Sequence, residues 1–227
     1  MNPLFKFELP EASQALPKAT VKIIKNRIKY INEGVSKVEK ASGLSYPPYY
    51  VEPALLVSSS STEIGQLGVL YARICIEDGI GGVQIWVQLS APLVAYGLRS
   101  TINAVLAHEF MHYVELVRKF ASLDIISDEV SSTLHQALYS DYEKLFEPKW
   151  LFKDKSLIKN INTKFSDGLV DEQLNRKTVK NWVEKNLPTI NIPPDANVVR
   201  IPVMSIMRTN FDPLLKNRIE EIKRISK

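Results

Sequence analysis

Apolar residues recur every three or four positions between Lys18 and Ala41: Val21, Ile24, Ile28, Ile31, Val35 and Val38. That period predicts an amphipathic helix over 18–41, ended by Gly43 and the Tyr46-Pro47-Pro48 turn. The period then shortens to two. Leu55 to Val57 reads as a short strand before a serine-rich loop, 68–77 as a second strand and 82–90 as a third. In the third, Val83, Ile85, Val87 and Leu89 line one face, and Gln84, Trp86 and Gln88 the other. The glycines between Gly79 and Gly82 predict a hairpin joining the last two strands.

Past Pro92 and Gly97 the helical period returns. Ser100 suits an N-cap, and a helix is predicted over 101–120. Ile102, Val105, Leu106, Phe110, Met111, Val114 and Val117 cover more than one stripe of it, the pattern of a central, mostly buried helix. A second helix is predicted over 128–146, capped by Ser127 and stopped by Pro148, with Val130, Leu134, Ala137, Leu138 and Leu145 as its core stripe. The remainder reads as a helix over 178–187, a strand over 198–207 inside a proline-rich run, and a terminal helix opened by Asp212-Pro213 and reaching about 226. The expected class is α+β. Residues 1–147 form the expected core, and 148–227 a C-terminal extension. That extension either completes the core or covers the functional cleft, in the second case by pairing its extended run with the strand at 82–90.

Composition narrows the function. The chain has 227 residues, 45% hydrophobic and 24% charged, enough for a core without disulfides. Cys75 is the sole cysteine. It excludes an intramolecular disulfide or a cysteine-rich metal cluster and fits a reducing, cytoplasmic setting. The first residues lack the pattern of a secretory signal, and no window holds the ~18–20 apolar residues of a membrane span. The net charge of +4 lies mostly in the C-terminal third. It reads as solvated helix faces, because no nucleic-acid-binding motif accompanies it.

The chemistry is concentrated in "VLAHEFMHYVEL", Val105 to Leu116. Four residues advance a helix by about 400°, so His108 and His112 project from nearly the same side, one turn apart. Two imidazoles so placed can meet one tetrahedral metal, with Glu109 beside them. The bland alternative, two satisfied histidines in a buried helix, requires polar partners in an apolar setting. Cys75 as a ligand of a deformylase-like site, or as the nucleophile of a Cys–His pair, is disfavoured by its apolar strand "YARICIEDG".

With HExxH at 108–112 on a helix, the chain resembles the zincin metallopeptidases over roughly 18–146. Glu115 and Arg118 stand where the metzincin extension has glycine and histidine, so that subgroup is excluded. The resemblance is gluzincin-like: it implies Zn2+ held by His108, His112 and a glutamate of the following helix, which "SDEVSST" offers as Glu129. His135, Asp128 and Asp124 are the rivals, and a helix would separate Glu129 from His135 by about 9 Å along its axis. Glu129 also has a plainer reading, as an acid favoured by the positive end of a helix dipole. The resemblance further implies hydrolysis of a peptide or protein substrate by a zinc-activated water, with Glu109 as general base. Tyr113, Tyr139 and Tyr142 are candidate oxyanion donors. In such proteins the strand before the active-site helix pairs with substrate, which assigns that role to 82–90. The alternative from another class is a non-catalytic zincin-fold binding or scaffold protein with a structural metal.

Overall fold

The computed structural model describes residues 2–58, 68–122, 134–138, 146–165, 168–193 and 198–225. It is an α+β fold in which two long helices pack on each other and one of them packs on the main sheet. A 3-10 turn, Phe5–Glu8, precedes α1 (Pro10–Ala15) and α2 (Lys18–Ser42). Helix α2 realises the predicted amphipathic segment: Ile24, Ile31, Val35 and Val38 are buried, and Lys22, Lys25 and Lys29 are exposed. Gly43 ends it in the left-handed conformation, its N–H returning to the carbonyl of Glu39; glycine takes that conformation without steric cost.

The main sheet contains β1 (Tyr49–Glu52), β4 (Ala72–Gly79) and β5 (Gly82–Ser90). The order is β1-β5-β4, with β1 parallel and β4 antiparallel to β5. The hairpin is formed as expected, with Gly79 opposite Gly82. The predicted alternation of β5 also holds on its apolar face, where Val83, Ile85, Val87 and Leu89 are buried. Its polar face is partly covered by the N-terminal turn. There Lys6 Nζ and Gln88 Nε2 each donate to the buried Glu52 Oε2 at 2.6 Å.

One consequence corrects the role expected for 82–90. Strand β5 is central. It is paired with β4 along its length and with β1 over Val87 to Ser90, and β1 and β4 are the edges. Strand β5 therefore cannot offer a full open edge to a substrate or to the C-terminal run. The extended segments pair elsewhere. In a second sheet, β2 (Leu55–Ser58) lies between β3 (Gly68–Leu70) and β7 (Thr189–Ile192), and β8 (Val198–Pro202) pairs with β6 (Leu134–Leu138).

Helix α3 (Ala91–Tyr96) leads into α4 (Arg99–Ser122), the predicted buried helix, which starts one residue before the expected cap Ser100. Helices α2 and α4 cross closely at Gly34, where a Cβ would lie 2.6 Å from Leu106 Cδ1 and 2.9 Å from Asn103 Oδ1. Side chains beyond residue 147 join the same core. They include Leu151 of α5 (Pro148–Leu151), Leu157 and Ile161 of α6 (Lys155–Lys164), Leu174 of α7 (Glu172–Thr178) and Trp182 of the π turn Val179–Val183. Leu215, Ile219 and Ile222 of α9 (Pro213–Ile225) do the same.

Three predicted elements differ. Residues 134–138 form a strand and not part of a helix over 128–146, because ladder pairing with the β-branched run of β8 outweighs local helical propensity. The strand expected over 198–207 ends at Pro202, and Val203–Arg208 form α8. The helix expected over 178–187 is instead the end of α7 followed by the π turn. Helix α8 brings Thr209 to the sheet, where its Oγ1 accepts a hydrogen bond from the Val83 N–H at 2.7 Å. Gly82, at φ +110°, makes room for that approach, since a Cβ there would strike Thr209 Oγ1 and the carbonyl of Ser205. No helix among the described residues is long and apolar enough to cross a membrane.

Candidate metal centre

Helix α4 is held from several sides, so the groups on its third turn have fixed positions. Tyr46 donates its hydroxyl to the Leu106 carbonyl at 2.9 Å and stacks on Phe110, ring centroids 5.4 Å apart. Phe152 packs on the same Phe110 ring at 6.3 Å. Between these contacts lie the residues singled out by the motif.

His108 and His112 meet. Their Nε2 atoms are 3.0 Å apart, and their rings are nearly perpendicular, at 86°. Two nitrogens bound at about 2.0–2.1 Å to a tetrahedral zinc lie roughly 3.3 Å from each other. The pair therefore needs only a small adjustment to chelate, and without a metal one ring can donate to the other. Burial holds both imidazoles neutral. It lowers His108 to about 4. It lowers His112 to about 2, with His108 and Lys119 adding to the effect. Neutral imidazole is the form that ligates metal.

Glu109, the expected base, is 3% exposed, and His112 is 2% exposed. The carboxylate's charge is felt by its neighbours. It adds to burial in raising the Tyr46 hydroxyl well above its ordinary value. Burial pushes the Cys75 thiol up to about 11; Arg73 opposes this and Glu109 adds to it. Cys75 itself sits on the polar face of β4 and contacts Gln88 Oε1 at 3.6 Å. It takes no part in the histidine pair.

Among the described residues, no group of three or more His, Cys, Asp or Glu side chains could hold a metal ion. Glu129, Asp128 and Asp124 lie outside the described residues, as do Tyr139 and Tyr142. His135 is placed by its backbone on β6, so the helical spacing between it and Glu129 does not apply. Tyr113 is half-buried beside Phe110 at 5.9 Å, its hydroxyl raised to about 12 by burial and then by Asp212.

Sequence reading missed the aromatic ring that stacks on His108. Phe165, at the C-terminal end of α6, stacks on the His108 ring with centroids 3.8 Å apart and planes 7° from parallel. The signal was the run Leu157, Ile161 and Phe165 at i, i+4 and i+8, one face of a helix; periodicity reveals the face but not its partner. Asp171 anchors the chain just beyond. Its Oδ2 accepts from Thr101 Oγ1 at 2.5 Å and from Lys164 Nζ at 2.8 Å, and its Oδ1 caps α7 through the Leu174 N–H.

Comparison with protein-family models, with curated proteins and with solved structures finds no match to this chain. The functional reading rests on the geometry above.

Proposed function

We propose that this protein is a zinc-dependent metallopeptidase of zincin-like, gluzincin-like type, hydrolysing a peptide or protein substrate. The observation that carries the reading is the convergence of the His108 and His112 Nε2 atoms at 3.0 Å on one rigid helix, with Glu109 beside them. His108 and His112 are the proposed protein ligands, and Glu129 the proposed third. Zinc in such a site supplies Lewis acidity, acidifying a water and polarising the scissile carbonyl. Glu109 accepts the proton of the attacking water and returns it to the leaving amine. The buried surroundings of α4 hold Glu109 and the two imidazoles in fixed relation, which lowers the reorganisation needed during reaction.

Metal analysis and peptide hydrolysis test this reading together. Wild-type protein is expected to bind one zinc, and His108→Ala with His112→Ala to bind none. Glu109→Gln is expected to keep the metal and lose hydrolysis by about 10²–10⁴-fold. Undiminished zinc in the double histidine variant refutes the site, and undiminished hydrolysis in Glu109→Gln refutes the mechanism.

One observation favours a second reading. Glu109 and His112 are nearly inaccessible, at 3% and 2%, as in a structural metal site of a non-catalytic binding or scaffold protein. Bound zinc, with no cleavage of a broad peptide library by wild type, supports that reading instead.

A further inference from the structure

The structure assigns Phe165 as a positioning residue for His108: its ring fixes the plane of the imidazole so that Nε2 is aimed at the zinc position. The inference rests on the zinc reading above and deepens it. Rotation of an imidazole about its terminal torsion is soft and broad, so a ligating histidine needs an external reference. Outer-sphere hydrogen bonds commonly serve that purpose. Here the closest aromatic contact of His108 is a near-parallel phenyl ring at 3.8 Å.

Three features make the stack suited to this role. The phenyl ring covers the face of the imidazole, whereas the Nε2 lone pair lies in the ring plane, so stacking restrains rotation without blocking ligation. A metal-bound imidazole also carries more positive charge than a free one, and the negative face of an aromatic ring favours it. Finally, Phe165 is tied to the helix that carries His108. Lys164, its chain neighbour, binds Asp171 Oδ2, and Asp171 binds Thr101 in the first turn of α4. Thr101 and His108 are seven residues apart, two turns along one side of the helix. A hydrogen bond from the Val170 N–H to the Lys164 carbonyl at 2.7 Å and the bridge between Phe165 and Leu169 close the loop that bears the ring.

The test uses the full chain and zinc itself, in competition with a chromophoric chelator, for wild type, Phe165→Leu and Phe165→Tyr. Thermal unfolding and the NMR shifts of the His108 ring protons are recorded on the metal-free proteins. Phe165→Leu is expected to bind zinc about ten-fold more weakly at an essentially unchanged unfolding temperature. Its His108 ring protons should lack the upfield ring-current shift expected in wild type. Phe165→Tyr, which keeps the stack, should restore both the affinity and the shift. Equal zinc affinity in wild type and Phe165→Leu overturns the positioning role and leaves the zinc reading standing. An affinity loss that Phe165→Tyr does not restore overturns it as well. A wild-type protein that binds no zinc overturns both readings.

Discussion

Helices α2 and α4 are nearly the same length, 25 and 24 residues, and pack on each other, yet they are built on opposite plans. Helix α2 has one buried stripe and a lysine-rich exposed face. Its polar anchor is half-buried: Arg27 donates to the carbonyls of Val94 and Gly97 at the end of α3. Helix α4 is buried on most sides, by α2, α6, α9 and the sheet, and so should be apolar throughout. The polar residues buried in it are Thr101, Glu109 and His112, with His108 half-buried beside them, while Asn103, Glu115, Arg118 and Lys119 are half-buried. In an amphipathic helix a histidine or glutamate is unremarked surface. In α4 each one costs desolvation, and chemistry is the reason that we propose for keeping them.

The largest effect that would break this contrast comes from its apolar part. Phe110 is fully buried between Tyr46 and Phe152. Phe110→Ala should destabilise the protein by about 3–5 kcal/mol. Ile23→Ala on the half-exposed side of α2 should change stability by less than about 0.5 kcal/mol. Urea unfolding of both variants decides the matter. Similar values would mean that α4 is no more central than α2.

The second effect is at their crossing. Gly34 lets the helices approach, with Leu106 and Asn103 occupying the space a side chain would need. Gly34→Leu overpacks the contact and should cost about 1–3 kcal/mol, read from the same unfolding curves. A neutral result would show that the two helices can separate freely.

These elements were legible to different degrees. Helix α2, the hairpin strand β5, α4 and α9 follow from periodicity, since each buries a face whose spacing is written in the chain. The histidine pair follows from helix geometry, and the Nε2 contact agrees with it. Three things were not legible. The place of β5 at the centre of its sheet depends on β1, a four-residue strand arriving from far upstream, and no local pattern specifies that pairing. The strand nature of 134–138 depends on β8, whose paired residues lie 60 to 68 positions away in the chain. The contact between Phe165 and His108 depends on how α6 docks, and an apolar residue at the end of a stripe carries no record of its neighbour. Each miss is a tertiary pairing that overrode or completed a local preference.

The third prediction concerns the buried anchor of α4. Burial alone would raise the Asp171 carboxyl, but hydrogen bonds from Lys164, Thr101 and the Leu174 N–H outweigh it and leave the group below its ordinary value of 3.8. A folded-state value below the unfolded one means that the carboxylate stabilises the fold above pH 3.8. That contribution is lost as the pH falls from there through the folded value. Each unit of difference is worth about 1.4 kcal/mol. Wild type should therefore lose stability between pH 5 and pH 3 more steeply than Asp171→Asn, as measured by urea unfolding at both values. Equal slopes would show that Asp171 is not a charged anchor in the folded state.

The smallest expected effect sharpens the comparison most. If His108 and His112 are retained for metal chemistry, the fold should not need them. Leucine is close to histidine in size, and the double replacement removes both buried polar rings and their mutual contact together; such paired replacements are nearly neutral or stabilising. The double variant His108→Leu with His112→Leu, unfolded by urea in the presence of a chelator, should lie within about 1 kcal/mol of metal-free wild type or above it. Zinc added to wild type should raise its stability in proportion to the logarithm of the free metal concentration, because only the folded state presents the paired site. Zinc should leave the double variant unmoved. That outcome separates the two helices cleanly: residues of α2 are where they are for the fold, whereas the polar turn of α4 lowers metal-free stability for the sake of a ligand. A loss of several kcal/mol in the metal-free double variant would reverse the conclusion. The contact between the two imidazoles would then be part of the core, and α4 would differ from α2 only in how deeply it is buried.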